Sequence, residues 1–166
     1  FWDTEATSLS LRDGRVVGVA TRNLRDKSVQ QLRAGAVIIA TGGWQANLEL
    51  VRKSWRHDLP PPERLYVGAG QFARGDGIGL ARDAGAAFVR MDHQVTFSTG
   101  LPDPRDPTGT RALLTQNPAA IWVNSSGQRF VSELSPTKVA DRAVLSMRPA
   151  THWLLYDEAG RRSLRV

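Results

Sequence analysis

The chain has no cysteine. That absence excludes disulfides, thiolate metal sites and a cysteine nucleophile, and leaves the redox compartment open. Histidine is scarce: His57, His93 and His152 are the 3 in 166 residues, and scattered in this way they make a poor metal set, so no metal site is expected. No apolar run approaches the roughly 20 residues that a membrane-spanning helix needs. With 41% hydrophobic and 23% charged residues, disorder is not indicated either. A dense basic run is also missing. The net charge of +6 is spread out: Arg12, Arg15, Arg22, Arg25 and Lys27 alternate with acids and apolar residues, the pattern of a solvated face. No nucleic-acid partner and no membrane span are therefore expected, and a cytoplasmic location is. The chain begins at Phe1 with no signal or transit pattern, and it reads as a piece of a longer protein.

What is present centres on Val37 to Gly43, Val-Ile-Ile-Ala-Thr-Gly-Gly. Three β-branched residues in a row predict a strand buried on both faces, as in the parallel sheet of an α/β domain. Small Ala40 and Thr41, then Gly42 and Gly43 without a Cβ, end it in a turn whose amides a ligand can approach. Ligands of open α/β sheets lie at the carboxyl ends of strands, where this turn falls. A plain strand-to-helix turn that touches nothing fits the same residues, because glycine pairs are ordinary turn signals.

Upstream, Leu9 and Leu11 alternate with polar residues, Asp13-Gly14 makes a turn, and Val16, Val17 and Val19 resume the alternation, which predicts a hairpin. A third short strand is expected at Val29 to Leu32. Downstream, Trp44, Leu48, Val51 and Trp55 recur at helical spacing. Pro60-Pro61-Pro62 ends that helix and opens a connection. In Gly75 to Ala86, Ile78, Ala81 and Ala84 share a helical face, Asp76 is placed to cap the N-terminus, and Gly85 can supply a left-handed C-terminal cap. The amides at the start of this helix suit an anionic or polar ligand group; for Asp76, a cap without a ligand is equally consistent. Ala87, Phe88, Val89 and Met91 read as a strand.

Pro102 to Thr110 holds 3 prolines and is a loop. Ala119 to Asn124 and Arg129 to Glu133 flank Ser125-Ser126-Gly127 as a second hairpin. Ser135 as N-cap and Pro136 as first residue begin a helix reaching Met147, with Val139, Ala140, Ala143, Val144 and Met147 as its apolar stripe. Trp153 to Tyr156 is a final strand.

Four of these stretches occur in a characteristic order. Asp13 to Val19, then Ala36 to Gly43 with Trp44 and Asn47, then Gly75-Asp76-Gly77 through Gly85-Ala86, then Val123-Asn124, Gly127, Arg129-Phe130 and Glu133, resemble FAD flavoproteins of the fumarate reductase and succinate dehydrogenase family, which includes relatives acting on ketosteroids, urocanate and tricarballylate. The resemblance runs over nearly the whole chain. It implies an α+β fragment: the C-terminal part of an α/β FAD-binding domain segment, with a β-meander and buried strand, followed by part of an α+β capping domain. The expected division is residues 1–60 for the flavin segment and 61–166 for a truncated cap. The glycine-rich dinucleotide fingerprint of such domains is absent from the sequence. By the same resemblance, Ala40, Thr41, Gly42, Gly43, Asn47, Gly75, Asp76 and Gly77 would lie near FAD, and Glu133 close to the domain boundary.

The departures from the family bear on substrate. Where the dicarboxylate enzymes carry His-Pro-Thr-Gly, with the histidine on a substrate carboxylate, this chain has Phe97-Ser98-Thr99-Gly100. Their Thr-Glu pair matches Thr115-Gln116. Their proton-delivering arginine matches Thr137, with Lys138 next, and a lysine on the first turn of a helix is ordinarily solvent-facing. Phe97, Thr115 and Gln116 are thus the candidate substrate contacts, and no catalytic residue is assigned. The resemblance implies a parent FAD-dependent oxidoreductase that moves hydride between flavin and a carbon-carbon bond of a small molecule other than fumarate or succinate, with the electron partner unspecified. The 166 residues alone are expected to be inactive. A non-catalytic binding or assembly domain that kept the fold is the alternative.

Overall fold

The computed structural model describes residues 1–68 and 70–166. The chain folds as two compact units, one from residues 1–47 and 72–89, the other from residues 48–71 and 90–166.

The first unit is built on an antiparallel meander, β1 (Thr4–Arg12), β2 (Arg15–Asn23) and β3 (Val29–Arg33), in the order β1-β2-β3. The Asp13-Gly14 turn works as expected: both residues have positive φ, 52° and 74°, the geometry whose twist matches a hairpin. Leu9, Val19 and Leu32 stand in one cross-strand row. β2, the central strand, contributes the buried Gly18, Ala20 and Thr21. Helix α1 (Asp76–Asp83) packs against β1. It ends as the sequence predicts: the Gly85 amide donates to the Arg82 carbonyl at 2.9 Å and the Ala86 amide to that of Ala81 at 3.0 Å, around a left-handed Gly85 at φ 84°. The start differs from expectation. Gly75, at φ 89°, is the N-cap and makes no side-chain cap bond, while Asp76 is the first helical residue.

Two expected strands do not form. Residues 36–43 have no ladder partner among the described residues, and Ile38 is 91% exposed. β-branching favours an extended backbone, but a central strand exists only where neighbours supply its hydrogen bonds. Residues 87–90 are likewise irregular, with Phe88 lying 5.5 Å beneath the Arg82 guanidinium and Arg90 at φ 56°.

In the second unit, α2 (Leu48–Lys53) is shorter than the spacing of tryptophans predicts. Trp44 lies outside it, in a turn closed by the Asn47 amide on the Trp44 carbonyl. β4 (Gly100–Pro102) and β5 (Ala112–Leu114) pair antiparallel across the expected proline-rich loop. Asp106 braces that loop by accepting from the amides of Thr108, Thr110 and Arg111. β6 (Ile121–Val123) pairs with β7 (Trp153–Leu155). The expected partner strand at Arg129 to Glu133 is reduced to one bridge, Val123 with Arg129.

Helix α3 (Thr137–Ser146) has Pro136 as its N-cap, not Ser135, because Pro136 sits at ψ 140°, outside the helical range. Its inward face is Ala140, Asp141, Val144 and Leu145, rotated from the predicted stripe, and Val139 is 51% exposed. With Val51, Trp55, Val67, Ala120 and Val123 these residues form the core of the unit. A short α4 (Glu158–Arg161) is capped by Asp157, whose carboxylate accepts from the Gly160 amide at 2.7 Å. No helix among the described residues is long and apolar enough to cross a membrane.

Candidate functional site

The glycine turn and the helix start expected near FAD come together in the first unit. The Gly75 amide donates to the Gly43 carbonyl at 3.1 Å, the Ala46 amide to the Ala73 carbonyl at 3.0 Å, and Asn47 Nδ2 to the Arg74 carbonyl at 3.3 Å. Residues 43–47 and 73–75 are thereby laced side by side. Gly77, in the first turn of α1, is buried against Thr41 and Ile39 so closely that an added Cβ would overlap the Thr41 hydroxyl.

The surface so formed is made of backbone. Ala40, Thr41, Gly42 and Asp76 are exposed, Gly43, Asn47 and Gly75 half-buried, and Gly77 buried. Among the described residues the amides of Ala40, Thr41, Gly42 and Gly43 donate to no protein acceptor. The first amides of α1, which have no intrahelical acceptor, lie next to them. Gly42 holds the turn open at φ 77°, with room for a Cβ since the closest atom to it would be Ala73 Cβ at 4.0 Å. A cluster of unspent amides on an exposed turn suits the phosphates and polar edges of a dinucleotide, so the residues present fit FAD.

The expected substrate residues lie in the second unit and are less alike than their sequence suggests. Phe97 is 65% exposed. Thr115 is fully buried, and its hydroxyl has no hydrogen-bond partner among the described residues. Gln116 is exposed, and its backbone exchanges two hydrogen bonds with Arg165, at 2.9 and 2.8 Å. Adjacent residues of an extended chain face opposite ways, which separates Thr115 from Gln116. No hydrogen bond or ring contact among the described residues joins Phe97 to either. Thr137 and Lys138 are exposed on the first turn of α3.

Glu133 is engaged structurally. Its carboxylate accepts from the Trp122 amide at 2.6 Å and pairs with Arg129. Burial raises its pKa, but Arg129 and the backbone amides outweigh that and hold it below the usual carboxylate range. Asp141 goes the other way: burial pushes its pKa up, opposed by Ser98 and by the charge of Arg56. Neither this buried acid nor Gln94, which reaches α2, stands out in the sequence. Asp141 looks like an ordinary polar residue beside an apolar stripe, and its helix is rotated from the predicted face. No group of His, Asp and Glu able to hold a metal occurs among the described residues.

The family model described as FAD binding domain matches residues 1–165. A KsdD-like steroid dehydrogenase of Mycolicibacterium smegmatis is 37% identical over 110 residues, 64% of this chain and 20% of the relative. A fumarate reductase (cytochrome) of Shewanella frigidimarina is 32% identical over 152 residues, 91% of this chain and 25% of the relative. In fold, the chain matches the open conformation of a flavocytochrome c3 fumarate reductase with a TM-score of 0.67 and 24% identity, covering 96% of this chain and 27% of that one. The chain spans about a fifth to a quarter of the length of these curated relatives. Its mixed α and β elements in small sheets are those of a partial flavoprotein fold, and the chain belongs to the FAD binding domain family, whose oxidoreductases work with FAD.

Proposed function

We propose that the parent protein moves hydride between FAD and a carbon-carbon bond of a small organic substrate less charged than fumarate or succinate. The observation that carries this reading is the turn Ala40 to Gly43, with its exposed and unspent amides, laced to the start of α1. In it, Ala40, Thr41, Gly42, Gly43, Asn47, Gly75, Asp76 and Gly77 line the flavin. The assignment of residues 1–60 to the flavin domain and 61–166 to the cap belongs to the same proposal, although Gly75 to Gly77 fold with residues 1–47.

Bound FAD supplies the hydride exchange, and the chain supplies orientation and the exclusion of water. On the substrate side, Phe97 offers an exposed apolar face and Gln116 a neutral amide, while the hydroxyl of the buried Thr115 has no hydrogen-bond partner among the described residues. None carries a positive charge. Burying a dicarboxylate without paired cations costs several kcal/mol of desolvation, so a carbonyl-bearing neutral molecule suits these residues better. The steroid dehydrogenase among the relatives is in keeping with that preference.

A second reading, a non-catalytic module that kept the fold, is favoured by Thr137, which cannot deliver a proton. The visible spectrum of the purified full-length parent tests the first requirement: a flavin band is expected, and its absence overturns the oxidoreductase reading. Bound flavin that no neutral enone reoxidises, and that no saturated ketone reduces, would support the module instead.

A further inference from the structure

Phe97 projects from residues 92–99, a stretch without regular secondary structure that leads into β4. Its side chains alternate. Val95 and Phe97 are 84% and 65% exposed, while Gln94, Thr96 and Ser98 are half-buried. One of the inward residues, Gln94, holds the stretch to α2. Gln94 Nε2 donates to the Val51 carbonyl at 3.0 Å and the Ser54 carbonyl at 2.6 Å, groups at the end of α2 that have no acceptor role left within the helix. Ser98 lies against the carboxyl of Asp141 on α3. That carboxyl is 8% exposed, and its Oδ1 has no hydrogen-bond partner among the described residues. The surroundings are themselves tied: Arg142, next to Asp141, pairs with Asp58, which also takes Arg56.

A short helix end at the protein surface can leave its last carbonyls to water. Spending a part-buried amide on them, from more than 40 residues away in sequence, fixes the donor's own segment as much as the helix. In an irregular stretch with no ladder to set its register, such anchors decide where the exposed side chains point.

We infer that Gln94 is a positioning residue: through its two hydrogen bonds to the end of α2 it sets the backbone from which Phe97 meets the substrate. This rests on the reading of Phe97 as a substrate contact. The molecule that Gln94 serves is then an apolar or aromatic-faced neutral carbonyl compound, since Phe97 presents only a ring.

A double-mutant cycle in the flavin-loaded full-length parent tests it, with reduced viologen as electron source and cyclohexenone and an α,β-unsaturated 3-ketosteroid as the electron-accepting probes. Phe97→Ala should raise KM. Gln94→Met, which keeps the length and loses the donors, should raise KM by roughly tenfold, about the worth of one or two hydrogen bonds, with kcat and flavin content little changed. In the Phe97→Ala background Gln94→Met should add nothing. Additive effects, or a Gln94→Met variant that loses only thermal stability at unchanged KM, would overturn the positioning role while leaving Phe97 in place. A silent Phe97→Ala would overturn the substrate reading and the inference with it. Should Gln94→Met fail to accumulate, Gln94→Glu, which keeps the shape and replaces the donating amide with an acceptor, enters the same cycle with the same expected and overturning results.

Discussion

Gly77 lies directly against Thr41: a Cβ at residue 77 would overlap the Thr41 hydroxyl and stand 2.6 Å from Ile39 Cγ2. The glycine is what lets the first turn of α1 close on the segment leading out of the meander. Gly77→Ala should therefore destabilise the first unit by about 1–3 kcal/mol, the usual cost of overpacking, and loosen flavin in the full-length parent. Thr41→Ala in the same chain removes the hydroxyl and should restore part of the loss. Thermal melts with flavin quantified by absorbance check both, and an alanine variant as stable as the parent protein would show that the contact has slack.

Gly42 has space for a side chain but a backbone that resists one, at φ 77°. Gly42→Val should cost on the order of 1–3 kcal/mol through that strain, and in the full-length parent it should abolish flavin retention while expression persists. A variant that melts earlier yet keeps its flavin would mark the glycine as purely conformational.

Asp76 is exposed on the first turn of α1 and makes no cap. Asp76→Asn keeps the shape and removes the charge, so stability should fall by less than about 1 kcal/mol, the worth of one carboxylate at a helix N-terminus. Loss of flavin in that variant, measured after gel filtration, would assign the charge to the cofactor; full retention would assign it to the helix.

His152 sits between Trp122 and Phe130, with ring centroids 4.7 and 5.8 Å away, and burial lowers its pKa from the ordinary 6.5. The unfolded chain therefore takes up a proton at higher pH than the fold does. Stability should be complete above about pH 6.5 and decline as pH falls from there through the lower folded value. His152→Phe removes the titrating group, and its melting temperature should vary less over the same window. Equal slopes for the two proteins would place the imidazole in a wetter setting.

Fumarate should be a poor substrate of the full-length parent even with flavin bound. By its resemblance to the dicarboxylate enzymes, the sequence would place Phe97 and Thr137 at the positions of a carboxylate-binding histidine and a proton donor, and losing a positioned general acid removes about 10²- to 10⁴-fold in rate. Steady-state assays with reduced viologen against fumarate and a panel of neutral enones decide the matter. Brisk fumarate turnover would mean that Lys138 serves as the donor, or that these positions correspond differently.

The parts of the fold legible in the sequence are those decided by short-range chemistry. Asp13-Gly14 fixes its hairpin through φ and Gly85 closes α1 through its left-handed cap, both within a few residues. Strands that depend on distant partners were legible only in part: Trp153 to Leu155 finds Ile121 to Val123, whereas the run at Val37 finds no partner among the described residues. Val37 to Ile39 are as β-prone as any residues in the chain and still form no ladder, since propensity alone cannot supply a neighbour. The same distinction runs through the site. Glycine spacing announced the turn and the helix start, but not the Gly75 to Gly43 hydrogen bond that laces them. Gln94 and Asp141 gave no local sign, because their partners are 40 or more residues away.

The first unit takes residues 1–47 and 72–89 but leaves the intervening 48–71 to the other unit. Its two pieces are therefore joined by a covalent detour, and association of the Gly43 turn with the Gly75 helix start is an intramolecular event. A tether of this length maintains an effective concentration on the order of millimolar. The few hydrogen bonds between 43–47 and 73–75, with the packing of α1 on β1 and of Gly77 on Thr41, can then hold the two pieces together without an affinity that would serve separate peptides. A proteolytic nick within 48–71 would remove the covalent link, and only the contacts within each unit would then keep the two pieces of the lacing near one another.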